Sequence, residues 1–163
     1  MKKFKSFTVR DGQTELVPWM RIEEFQDHDL PRPVVLLNGA FDLLHSGHFK
    51  CFHHAAKVAN TIIVALDSDT KIKAAKGPER PILSYVERAT ALQYMPISGI
   101  VEITSDEEFK RLIDLLAPDL RVKGTEYQTK SSRIPEVPTM WVRGDGMRAS
   151  KIVDRIRSRY GKL

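Results

Sequence analysis

The feature that most constrains this fold is a pair of short, uninterrupted apolar runs, Val34-Val35-Leu36-Leu37 and Thr61-Ile62-Ile63-Val64-Ala65-Leu66. Runs of this length without polar alternation are what strands covered on both faces require. Between them, Gly47 to Val58 predicts a helix, with Phe49, Phe52, Ala56 and Ala59 spaced to form its apolar face. The alternation continues. Asp67 to about Pro81 is a polar loop or short helix. Ser84-Tyr85-Val86-Glu87 has capping-box spacing and opens a helix ending near Met95 and Pro96. Ile100–Ile103 predicts a strand. Ser105-Asp106-Glu107-Glu108 is a second capping box, and its helix sets Phe109, Leu112, Ile113 and Leu116 on one face. Leu120–Val122 and Met140–Val142 predict two further strands, and a closing helix turns Ile152, Val153 and Ile156 inward. Strands alternating with helices predict an α/β fold: a single Rossmann-like, doubly wound parallel sheet of about five strands with helices on both faces. Such sheets bind ligands beyond the carboxyl ends of their strands.

The 163 residues, 42% hydrophobic and 29% charged, suit one globular domain and exclude a disordered tail or a coiled-coil rod. Residues 1–33 read as an N-terminal extension packed on the domain's edge, with a short helix around Met20–Phe25; residues 34–163 form the domain proper. Pro31 and Pro33 force extended backbone between them. No apolar stretch of about 18 residues could span a membrane, and the basic opening lacks the apolar segment of a secretory signal. The expectation is a cytoplasmic protein. A single cysteine, Cys51, excludes an internal disulfide and a Cys-based zinc site and fits a reducing compartment. The net charge of +5 points to an anionic partner.

Four segments at predicted strand ends carry the chemistry. Asn38-Gly-Ala-Phe-Asp-Leu-Leu-His-Ser-Gly-His48 lies where a buried strand gives way to a helix. Imidazoles at His45 and His48 can donate hydrogen bonds to a phosphate drawn to the helix N-terminus, and Lys50 adds a cation. Lys76-Gly77-Pro78-Glu79-Arg80-Pro81 places a lysine on the next carboxyl-edge loop. Val122-Lys123-Gly124-Thr125-Glu126-Tyr127 follows the fourth strand, and Arg143-Gly144-Asp145-Gly146-Met147-Arg148-Ala149-Ser150 follows the last. Three other features read as structural. Cys51 is a packing residue. His53 and His54 face away from His48 at helical spacing and form no metal cluster with it. Arg155, Arg157 and Arg159 are a solvated basic face, and no nucleic-acid motif accompanies them.

Gly39-x-Phe41-Asp42-x-x-His45-x-Gly47-His48 resembles the signature of the cytidylyltransferase-like nucleotidyltransferases, a likeness that extends from Val34 to the C-terminus. It is similar to the form in glycerol-3-phosphate, choline-phosphate and ethanolamine-phosphate cytidylyltransferases, and in the nucleotidyltransferase domain of ADP-heptose synthase. KGPERPILSYVER and PDLRVKGTEY look most like the ADP-heptose synthase branch. The resemblance implies a catalytic role for His45, His48 and Lys76, the lysine bridging nucleotide and acceptor phosphate. It implies nucleotide contacts from Gly39, Ala40, Phe41, Asp42, Lys50, Arg88, Lys123, Gly124, Glu126, Arg143, Gly146 and Ser150. Glu126 stands where cytidylyltransferases place a base-reading carboxylate. The late segment is similar to the RTxGISTT signature at Arg143, Gly146 and Ser150, and departs from it at Arg148 and Ala149.

The function these imply is transfer of a nucleoside monophosphate from ATP or CTP to a phosphorylated sugar or polyol, releasing pyrophosphate. Magnesium arrives with the triphosphate, and Asp42 is the first candidate either for a carboxylate near it or for a residue that orders the loop. No metal is held by protein side chains, no nucleic acid or membrane is involved, and a homodimer is the family expectation. The alternatives are a glycerol-3-phosphate-type cytidylyltransferase and a nucleotide-binding module that has lost catalysis.

Overall fold

The computed structural model describes residues 9–10, 13–14, 19–24, 30–128 and 134–161. Six strands form one parallel sheet: β1 (Trp19–Arg21), β2 (Val34–Gly39), β3 (Thr61–Asp67), β4 (Gly99–Ile103), β5 (Leu120–Gly124) and β6 (Thr139–Val142). Five helices connect them: α1 (Ser46–Val58), α2 (Asp69–Lys76), α3 (Tyr85–Leu92), α4 (Asp106–Leu116) and α5 (Ala149–Tyr160). Val9–Arg10 and Gln13–Thr14 pair as a separate antiparallel ladder.

The sheet order is β1-β4-β3-β2-β5-β6. From β2 the chain winds outward through β3 and β4, then returns to the other side of β2 for β5 and β6. The order therefore reverses between β2 and β5, which leaves a crevice at their carboxyl ends. The two uninterrupted apolar runs are the central strands. Val35, Leu37, Ile62, Val64 and Leu66 pack on one face with Phe52 and Leu92. Val34, Leu36, Ile63 and Ala65 pack on the other with Leu112, Ile113 and Leu116 of α4. Both faces are buried, so alternation is absent from the sequence.

Four details differ from what the sequence predicts. The sheet has six strands because Trp19–Arg21 pairs in parallel with Ile100–Glu102 of β4. The Met20–Phe25 helix is thus a strand followed by one 3-10 turn at Ile22–Glu24, with Phe25 outside the described residues. Pairing with an open sheet edge outweighs local helical preference here. On α1 the buried face is Cys51, Phe52 and Ala55, while Phe49 is exposed. The helix is rotated so that His48, one turn earlier, faces the strand ends. On α5, Ile152 and Val153 are half-buried but Ile156 is exposed, because a helix following the edge strand β6 has only one flank to cover it.

Both capping serines accept from the backbone N–H three residues on. At Ser84 the box is complete, with Glu87 accepting from the Ser84 N–H at 2.8 Å. At Ser105 the returning carboxylate of Glu108 takes the Thr104 N–H instead, at 2.6 Å. Below the sheet, Asp119 ties β2 to the start of β5: its carboxylate accepts from the Val34 N–H at 2.6 Å and pairs with Arg32 at 2.9 Å. Asp119→Ala leaves the buried Val34 N–H unsatisfied, and a loss of about 1–2 kcal/mol of unfolding free energy is expected in urea titration.

Candidate active site at the strand-order reversal

A cleft of about 230 Å³ opens at the reversal between β2 and β5. Its lining includes Asn38 to Asp42 at the end of β2 and beyond, His45, Gly47 and His48 at the start of α1, and Asp67 at the end of β3. Lys76 ends α2 and Arg80 follows it, while Lys123 and Gly124 end β5 and Glu126 and Tyr127 follow it. Segments far apart in sequence meet here because every connection leaves a parallel strand on the same edge.

His45 is the N-cap of α1. Its backbone is extended and its Nδ1 accepts from the Gly47 N–H at 3.2 Å. Accepting at Nδ1 places the proton of the neutral ring on Nε2, which becomes a donor. The His48 ring stacks on it with centroids 3.9 Å apart and planes 28° apart. Phe41 lies against His48 with ring centroids 5.1 Å apart, in a left-handed backbone conformation with φ of 45°. Gly47 is demanded by close approach: a Cβ there would meet the His45 Cε1 at 3.0 Å. Burial lowers the pKa of His45 against the opposing pull of Glu126 and Asp145. His48 is pushed down to about 3, first by burial and then by His45 and Lys76. Its Nδ1 is buried without a hydrogen-bond partner. The pair therefore presents neutral imidazoles with unspent hydrogen-bonding capacity.

Asp42 is buried and committed to the protein. Its carboxylate accepts from the Ile82 N–H at 2.9 Å and the Leu83 N–H at 3.0 Å, and pairs with Arg80 at 3.0 Å. It orders the loop that carries Arg80, the second of the two roles its sequence position suggested. Arg88 does not reach the cleft. Fully buried, it donates to the carbonyls of Ala40, Leu83 and Asp67 and pairs with Asp69 at 2.8 Å. It braces the β2 and β3 exits from beneath, a role a helical position alone does not reveal.

Lys123 faces the cleft above the Tyr127 ring at 5.3 Å, and burial pushes its pKa down to about 8. Beneath it, buried Arg121 donates to Asn38 Oδ1 at 2.9 Å, joining β5 to β2 across the crevice. Glu126 folds back over Gly124, where any Cβ would collide with its carboxylate. The segment after β6 reaches the cleft through Ala149. Arg143, Gly146, Arg148 and Ser150 are exposed outside it, as is Lys50. Sequence reading missed Arg80, Asp67, Tyr127 and the Asn38–Arg121 link. Arg80, Tyr127 and Asn38 lie inside the Lys76–Pro81, Val122–Tyr127 and Asn38–His48 motifs, whereas Asp67 and Arg121 lie outside them.

The cytidylyltransferase-like family model matches residues 36–157, most of the chain. This chain belongs to the cytidylyltransferase-like family. It is 33% identical over 140 residues to the bifunctional protein HldE of Syntrophotalea carbinolica, covering 79% of this chain and 28% of that protein. It is 32% identical over 146 residues to HldE of Helicobacter pylori, covering 88% and 31%. The chain thus spans less than a third of these curated relatives. In fold it is similar to a lipopolysaccharide core biosynthesis protein from Thermoplasma volcanium, with a TM-score of 0.54 and 19% identity, covering 71% of this chain and 98% of that one. Among the described residues, no helix is long and apolar enough to cross a membrane.

Two outcomes follow from this cytidylyltransferase-like site. An unfolded histidine titrates near 6.5, so as pH falls the unfolded chain takes up a proton at His48 before the folded chain does. Stability held above pH 6.5 is therefore lost progressively toward pH 3, by about 2 kcal/mol between pH 7 and 5. Urea titrations at both pH values should show this loss shrink in His48→Gln. Arg88→Ala strands Asp69 and two strand-end carbonyls, and should cost about 3–5 kcal/mol in the same assay.

Proposed function

We propose that this chain is a nucleotidyltransferase that joins the nucleoside monophosphate of ATP or CTP to a phosphorylated sugar or polyol and releases pyrophosphate. The observation that carries it is the stacked, neutral His45–His48 pair at the N-terminus of α1, in a cleft also lined by Lys76, Arg80 and Lys123, in a chain of this family. The resemblance of KGPERPILSYVER and PDLRVKGTEY to the ADP-heptose synthase branch supports the sugar-phosphate acceptor.

In this reading a phosphate oxygen of the acceptor attacks the α-phosphorus in line. The bond from that phosphorus to the bridging oxygen breaks, and its electron pair leaves with pyrophosphate. A phosphate nucleophile that is already ionised requires no general base. The protein's work is alignment and the stabilisation of charge on the α-phosphate oxygens. The Nε2–H of His45 and the free capacity of His48 meet those oxygens without prior reorganisation. The three cations hold the flanking phosphates, with Lys76 nearest the acceptor. Magnesium enters with the triphosphate substrate, whose phosphates and water supply most of its ligands.

The test is pyrophosphate release with ATP or CTP over a panel of phosphorylated sugars and polyols. His45→Ala and His48→Ala should each lower kcat by about 100-fold or more, near 3 kcal/mol of transition-state stabilisation, with the fold retained. Wild-type turnover in both removes the histidines from the reaction. Lys76→Ala should raise the acceptor KM more than Arg143→Ala does. Ala149 favours a second reading, because it presents a methyl group where the resembled signature has a hydroxyl. Tight nucleotide binding without pyrophosphate from any acceptor would support a binding module instead.

A further inference from the structure

Of the three carboxylates that border the cleft, only Asp67 lacks an assigned task. Asp42 is closed by two backbone N–H groups and Arg80. Glu126 lies on the β5 flank, where its charge acts on His45 and Cys51. Asp67 stands on the opposite flank at the end of β3, the strand whose following helix carries Lys76. The two flanks divide the cleft on either side of the histidines, and Asp67 shares its flank with the lysine assigned to the acceptor.

The carboxylate is braced from outside the cleft. Lys71 Nζ meets Asp67 Oδ1 at 3.1 Å and Asp106 at 3.0 Å, and it lies 5.9 Å from the centre of the Phe109 ring. The Asp67 carbonyl is held by Arg88 at 2.8 Å. Among the described residues no further hydrogen bond reaches the carboxylate. An acidic group beside a phosphate site repels phosphate and accepts hydrogen bonds, so what it meets is a donor. Lys71 already supplies its counter-charge, and Lys123 is close enough for Asp67 to raise that lysine's pKa against the effect of burial. A third ammonium is therefore disfavoured and a neutral hydroxyl fits.

We propose that Asp67 is a specificity-determining residue that accepts a hydrogen bond from a hydroxyl of the acceptor, selecting polyhydroxylated phosphates over phosphorylated deoxy compounds and amino alcohols. The inference rests on the function proposed above. Lys71 is its positioning residue.

The experiment measures pyrophosphate release from ATP and CTP with hexose 1-phosphates, glycerol 3-phosphate and ethanolamine phosphate, and then with deoxy analogues of the best acceptor. Asp67→Ala should raise the KM of that acceptor about tenfold or more, and Asp67→Asn by less. The nucleotide KM should stay within about twofold, and one deoxy analogue should be turned over equally by wild type and variant. That last result also shows that the variant is folded. Lys71→Met should raise the acceptor KM with little change in kcat. Equal losses for every acceptor, a change confined to the nucleotide KM, or ethanolamine phosphate as the best acceptor would overturn the role of Asp67 while leaving the nucleotidyltransferase reading intact. A wild-type protein that releases no pyrophosphate with any pair would overturn that reading and this inference together.

Discussion

The site depends on one hydrogen bond, from the Gly47 N–H to His45 Nδ1 at 3.2 Å. It satisfies an orphan donor at the start of α1, as a serine or aspartate cap would. A serine cap would end its work there. An imidazole cap leaves a second nitrogen pointing outward with its proton fixed, so helix capping and ligand presentation become one act. The stacking of His48 on His45 follows from the three-residue spacing along the first turn. The two rings are thereby set at the positive end of the helix dipole, at the reversal in strand order.

Around this pair the charges divide into those spent on the protein and those facing the cleft. Asp42 and Arg88 are spent. One pins the 80–83 loop, and the other ties together the carbonyls of Ala40, Leu83 and Asp67. Buried charges of this kind survive only when their hydrogen bonds are nearly complete, and both meet that condition. Lys76, Lys123, Asp67 and Glu126 keep part of their surface in the cleft. Residues equally prominent in sequence therefore differ in role according to how many protein partners they already hold.

The sheet was legible because β2 and β3 advertise burial on both faces, and because Ser84 and Ser105 mark helix starts. The edge strand β1 was not: three residues with no alternation adopt strand geometry only because β4 offers an unpaired edge. The histidine motif was legible because its spacing has few other uses at a strand-to-helix junction. The task of Arg88 was hidden, since burial of an arginine depends on carbonyls contributed by residues up to 48 positions away. Asp67 was hidden for the same reason. Its neighbour Lys71 is visible one turn on, but its place on the cleft wall arises only when β3 is set beside β2.

The most direct measurement is a crystal structure of the protein soaked with a nucleotide analogue that cannot lose pyrophosphate. The α-phosphate is expected within hydrogen-bond distance of His45 Nε2 and of the His48 ring, with the β- and γ-phosphates among the lysines of the cleft. Nucleotide bound elsewhere, or bound here with both imidazoles turned away from its phosphates, would contradict it.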